Sequence, residues 1–183
     1  MAAVPEPGRL VYVDEMGVHT SLAPVRGYSP EGERLRLSVP RNRGKNTTLL
    51  SSTIGEGMGP SMAVEGSATA EVFEAYLEHF LAPELRRGQV VVVMGNLVAH
   101  KPKRVRELVE GRGRELLYLP AYSPDHNPIE EAYSKIKGFL RKAQARAREA
   151  LVEAMGRAPS AVSPQDAQGF FERAGYRPVG QLL

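Results

Sequence analysis

Leu-Pro-Ala-Tyr-Ser-Pro-Asp-His-Asn-Pro-Ile-Glu-Glu-Ala-Tyr-Ser-Lys-Ile-Lys, residues 119–137, is the stretch from which the rest of the chain is read. It closes a short apolar run (Leu116, Leu117, Tyr118, Leu119), turns at Pro120 and Pro124, and opens a helix at Asn127-Pro128. Asn127 suits the cap, Pro128 the first helical position and Glu130 the third, which predicts a capping box. A strand therefore passes through a rigid proline loop into a helix whose first turn carries Glu130 and Glu131. In open α/β sheets this region beyond the strand ends is where ligands and ions gather. Capping alone also accounts for Asn-Pro-x-Glu, so a functional reading needs support from elsewhere in the chain.

Working outward, Leu10, Val11, Tyr12 and Val13 form an apolar run that ends at Asp14-Glu15. An acid is a poor strand residue, so Asp14 is either a site residue or part of a solvated strand-end turn at Gly17. Residues 19–30, broken by Pro24, Gly27 and Pro30, predict one or two irregular strands around a turn. Leu35, Leu37 and Val39 alternate with Arg34, Arg36 and Ser38, which predicts a half-buried strand with a basic outer face. A basic loop follows over residues 40–46, then a strand over 47–54 and a short one over 61–64, so the front third reads as antiparallel.

Ser67 or Thr69 caps a predicted helix with Val72, Phe73, Tyr76, Leu77, Phe80 and Leu81 as its core stripe and Pro83 at its end. Residues 89–94, Gln-Val-Val-Val-Val-Met, predict a strand buried on both faces. Residues 101–110 predict a helix with Val105, Leu108 and Val109 inward and Gly111 as its stop. The helix begun at Asn127 is expected to run to about Met155, with Arg141, Lys142, Arg146 and Arg148 as a basic stripe. Ser163-Pro164-Gln165-Asp166 marks one more helix start, ending near Gly175.

The chain has 183 residues, 42% of them hydrophobic and 25% charged, which is ordinary for one globular domain with its own core. It contains no cysteine, so disulfides, thiol nucleophiles and thiolate metal sites are excluded. A metal site would have to use carboxylate, amide or imidazole, and oxygen donors favour magnesium or manganese. No apolar run approaches a membrane span. The net charge is only +3, which is weak support for a polyanionic partner, and the placement of charge matters more.

Three positions put polar residues where strands end or a helix starts: Asp14, the Gly95-Asn96 corner and Glu130. Three blocks around them, Val-Tyr-Val-Asp-Glu (11–15), Val-Val-Met-Gly-Asn-Leu-Val-Ala-His-Lys (92–101) and Leu-Pro-Ala-Tyr-Ser-Pro-Asp-His-Asn-Pro-Ile-Glu (119–130), resemble those of the DDE-type transposases in the mariner-like insertion-sequence group. The resemblance spans roughly residues 10–145, and its third block is highly specific.

The resemblance implies an α/β, ribonuclease H-like mixed sheet of about five strands, the first three antiparallel, flanked by helices. It implies a single domain over 1–183, with a core at about 10–145, a C-terminal helical extension over 146–183 and no N-terminal DNA-binding region. The implied activity is metal-dependent nicking of transposon ends and transfer of the freed 3′-hydroxyl to target DNA. It would use two Mg²⁺ or Mn²⁺ ions, which can stabilise both the attacking and the leaving oxygen.

Asp14 matches the first acid of that pattern and Glu130 the third. Gly95 stands where the second acid belongs, with 34 residues between it and Glu130, so metal binding and strand cleavage are expected to be weak or lost. Gly95 also has a plainer reading as a turn glycine after a strand. Asn96, His100, Asp125 and Asn127 complete the motifs as supporting, capping or loop-ordering residues. Asn96, Asp125 and Glu131 are candidates for a substitute oxygen, but none occupies the required strand-end position.

DNA is the implied partner, held through Arg41, Arg43, Lys45, Lys101, Lys103 and Arg104, mainly by salt-sensitive phosphate contacts. A homodimer, no small-molecule cofactor and a cytoplasmic, nucleoid-associated, prokaryotic setting are further implications. The alternatives are a DNA-binding or dimerising remnant without chemistry, and another ribonuclease H-like nuclease such as a resolvase.

Overall fold

In the computed structural model of the chain, residues 6–39, 41, 44–94, 102–120 and 123–177 are described. Five strands build one sheet: β1 (Leu10–Val18), β2 (Thr47–Ile54), β3 (Gly57–Glu65), β4 (Val90–Met94) and β5 (Glu115–Leu119), in the order β3-β2-β1-β4-β5. β1 is central. It runs antiparallel to β2, which is antiparallel to β3, and parallel to β4, which is parallel to β5. This is the mixed sheet predicted from sequence.

Alternation along the strands sends side chains to two cores. Leu10, Tyr12 and Met16 of β1, with Val90 and Val92, pack under α4 (Pro128–Ala143), α5 (Arg148–Arg157) and α6 (Pro164–Arg173). Val11 and Val13, with Val91 and Val93, face α1 (Ala70–Tyr76), the π-turn Leu77–Leu81 and α3 (Pro102–Glu110). Each fully buried aliphatic or aromatic side chain contributes about 1.5–3 kcal/mol by leaving water. Tyr12 also meets Phe171 of α6 edge to face at 5.5 Å, which ties the C-terminal helices to the central strand.

Four expectations need correcting. β1 does not stop at Val13 but continues to Val18 along β2, so Asp14 lies within a strand. At that level, among the described residues, the last pair of the parallel ladder is Val13 opposite Val93. Neither the predicted strand through Leu35, Leu37 and Val39 nor the irregular strands of 19–30 form. Residues 19–39 carry no strand, and Leu35 is 52% exposed. Both flanks of β1 and β2 are already paired, so that alternating segment has no partner there.

Phe80 leaves the predicted core stripe at 41% exposure. The π-turn adds a residue to the helical repeat, so that Leu81 stays inward as predicted while Phe80 is turned out. A further short turn, α2 (Ala82–Glu84), closes the helix at Pro83. Finally, α4 stops at Ala143, where Gln144 takes a left-handed conformation (φ 48°). Beyond it the Arg146 guanidinium donates to the carbonyls of Thr20 (3.1 Å) and Leu22 (2.7 Å), and Arg148 pairs with Glu65. Half of the expected basic stripe is therefore engaged within the protein.

Candidate metal centre

Asp14 alternates with Tyr12 and Met16, which puts its carboxylate on the sheet face covered by α4. It is 8% exposed. One carboxylate oxygen accepts the Glu15 backbone N–H at 2.8 Å, and the other accepts Nδ2 of Asn127 at 2.9 Å. The Tyr133 hydroxyl donates to the Asp14 backbone carbonyl. Burial pushes the Asp14 carboxyl up to about 6. The Glu15 N–H opposes that rise, the charge of Glu130 adds to it, and the Asn127 amide opposes it again. Burial also raises Glu15 itself.

The loop after β5 makes a 3-10 turn, Pro124–His126, and delivers Asn127 to the start of α4. Asn127 is 2% exposed. The Glu130 N–H reaches the Asn127 backbone carbonyl at 3.1 Å, but the Asn127 side chain makes no cap bond. The predicted capping box therefore does not form. The amide is drawn instead to Asp14, and its Oδ1 is buried without a hydrogen-bond partner.

Glu130 is exposed in the first turn of α4 and lines a cleft of about 500 Å³ with Asp125, Asn127, Glu131, Ser134 and Arg173. Glu131, one of the possible substitute oxygens, is not free: Arg173 Nη2 lies 2.7 Å from its Oε2, and Nε is 2.9 and 3.1 Å from its two oxygens.

The structure thus brings Asp14, Asn127, Glu130 and Asp125 to one edge of the sheet, where the described part of the β1–β4 ladder ends. Gly95, Asn96, His100, Arg43 and Lys101 lie outside the described residues. Among the described residues, no three acidic or histidine side chains form a group able to hold a metal ion. What is present suits a hard cation: the carboxylates of Asp14 and Glu130 and an unmet amide oxygen, with no sulfur or nitrogen donor among the three.

The expected phosphate contacts are scattered. Arg41 and Lys103 are exposed, Lys45 is 3.1 Å from Glu65, and Arg104 lies 3.6 Å from Glu78. Lys103 and Arg104 belong to α3, on the sheet face opposite α4.

Sequence reasoning missed Tyr133 and Arg173. A tyrosine on the buried stripe of α4 must find a partner for its hydroxyl, and that was a usable signal. Arg173 offered none, because its partner lies 42 residues away. Among the described residues, no helix is long and apolar enough to cross a membrane.

Solved structures share this architecture. The Mos1 transposase paired-end complex with left transposon end matches with a TM-score of 0.72 at 18% identity, covering 92% of this chain and 52% of that one. The Mos1 strand transfer complex matches at 0.69 and 20% identity, with the same coverage. The catalytic domain of Mos1 mariner transposase matches at 0.58 and 16%, covering 91% of this chain and 77% of that one. The ribonuclease H-like fold is thereby established. The chain spans about half the length of the Mos1 chains in the two complexes. A sequence search of curated proteins finds no match. The model of a protein family described as DDE superfamily endonuclease matches residues 9–152, and the chain belongs to that family.

Proposed function

We propose that this chain is the catalytic domain of a DNA transposase whose intact form nicks transposon ends and joins the 3′-hydroxyl to target DNA. We propose further that, as written, it is inactive or strongly impaired because Gly95 replaces the second acid. The observation that carries this reading is that Asn127 holds Asp14 at 2.9 Å and lines the same cleft as Glu130, whose charge acts on Asp14. Support comes from the family match and from Mos1 structures described as paired-end complexes with Mn and with Mg. DNA is the partner this supports, and pairing of two ends supports a homodimer.

Asp14 and Glu130 would hold a divalent cation, which supplies charge for the phosphate oxygens when bound. The protein's own part is positional. Burial and the Asn127 amide keep Asp14 in one place, Tyr133 fixes the strand behind it, and Arg173 holds Glu131 aside. With Gly95 in place one carboxylate is missing from the set, so both cation affinity and charge balance suffer.

The test is Gly95→Asp, assayed beside the unaltered chain for Mn²⁺-dependent nicking of DNA. Nicking by the substituted chain alone is the expected result. Nicking by the unaltered chain would overturn the role given to position 95. If neither cuts although both bind DNA and self-associate, the DNA-binding or dimerising remnant becomes the better reading.

A further inference from the structure

Only one end of the Asn127 amide has a partner. A carboxylate has no proton to donate, so the Asp14 oxygen at 2.9 Å requires that the NH₂ end face it. That requirement turns Oδ1 the other way. There it meets no donor, on a side chain 98% withdrawn from solvent that lines the Glu130 cleft. A buried carbonyl left without a partner is destabilising.

The usual relief was at hand. An N-cap asparagine satisfies its oxygen on the N–H groups of the first turn, yet here the Glu130 N–H goes to the backbone carbonyl of Asn127. No protein donor reaches Oδ1, and the residue lines the cleft that holds Glu130, so a cation there, or a water bound to one, would supply the missing partner.

We propose that Asn127 is a positioning residue of the cation site: Nδ2 fixes the Asp14 carboxylate, and Oδ1 meets a divalent cation or its bound water. This rests on the proposed function, since it needs a cation between Asp14 and Glu130. It extends that reading by giving the loop before α4 a direct part in metal affinity, where capping would have given it only a structural one. A group that orients a ligand in this way carries about a 10–100-fold effect on metal affinity.

The test follows the side-chain carbonyl carbons of Asn127, Asp14 and Glu130 by ¹³C NMR as Mg²⁺ is added, in the unaltered chain and in Gly95→Asp. The expected result, in at least the Gly95→Asp chain, is that Asn127 Cγ shifts with the two carboxyl carbons along one binding curve. If the carboxyl carbons move and Asn127 Cγ does not, this proposal is overturned while the proposed function stands. If none of the three moves in either chain, the cation reading fails and this inference fails with it. Asn127→Leu, which removes both ends of the amide at similar volume, should weaken Mg²⁺ binding at least tenfold. An unchanged affinity in a folded variant overturns the proposal. Should that variant not fold, the carbon shifts of the other chains still decide.

Discussion

Two helices of this protein begin on the same script, Asn127-Pro128-Ile129-Glu130 and Ser163-Pro164-Gln165-Asp166, and they carry it out differently. At α6 both halves of the capping box close: Ser163 Oγ accepts the Asp166 N–H at 3.2 Å, and Asp166 accepts the Ser163 N–H at 2.8 Å. At α4 neither half closes. The cap side chain reaches across 113 residues of sequence to Asp14, and Glu130 turns out into the cleft. The carboxyl groups diverge accordingly. Lys135 and Ser163 hold Asp166 well below the ordinary carboxylate range, whereas burial holds Asp14 well above it. One helix start satisfies itself. The other leaves its local bonds unmade and turns its polar groups to a distant strand, a breach of local rules expected at a functional site.

The sharpest test of that contrast is Asp14→Asn. The folded protein holds the Asp14 proton more tightly than the unfolded chain does, at about 6 against 3.8. The stability this group contributes is therefore full below pH 3.8, falls as pH rises toward 6, and stays lost above. At about 1.4 kcal/mol per pH unit the loss is about 3 kcal/mol. Urea denaturation at pH 8 should find Asp14→Asn more stable than its parent by up to about that amount, and at pH 4 nearly equal to it. A difference that is the same at both pH values would break the contrast.

Next in size is the coupling between positions 14 and 127. A buried hydrogen bond to a charged group is worth about 1.5–3 kcal/mol. A double-mutant cycle of Asp14→Ala and Asn127→Ala at pH 8 should show about 2 kcal/mol of interaction. The same cycle with Ser163→Ala in place of Asn127→Ala should add to within about 0.5 kcal/mol. Strict additivity in both cycles would mean that the two helix starts are alike after all.

How much of this was legible follows from what each feature depends on. Four valines in a row state a buried strand without help, and β4 is found where they lie. β1 was legible only to Val13, because the pattern breaks at Asp14. The strand continues through the acid because β2 pairs with it as far as Val18 opposite Thr47. Leu35, Leu37 and Val39 carry a strand's alternation without a strand's neighbour, and pairing is a property of the whole sheet.

The site divides the same way. Asp14 and Glu130 could be picked out by their places beside a strand and at a helix start. That Asn127 would forgo its cap to join them could not, since its local sequence is a good cap and the competing partner is remote. At Ser163 the same local reading was right because no buried acid competes for the side chain.

Ser163→Ala has the smallest expected effect and makes the difference a matter of pH. It removes the acceptor of the Asp166 N–H and the hydroxyl that donates to Asp166 at 2.6 Å. It leaves Asp166 its bonds to the Ser163 N–H and to Lys135, so the loss should be about 1 kcal/mol, the usual worth of an N-cap. A carboxyl held below its ordinary value contributes stability that is present above 3.8 and lost only as pH falls toward the lower, folded value. The Ser163→Ala penalty should thus be constant from pH 8 down to pH 5. The 14–127 coupling should fade over that same interval, as Asp14 takes up its proton near 6. Melting temperatures of the variants at pH 8, 6.5 and 5 separate the two. If the Ser163 penalty fades in step with the coupling, both caps answer to the same acid and the local account of α6 is wrong.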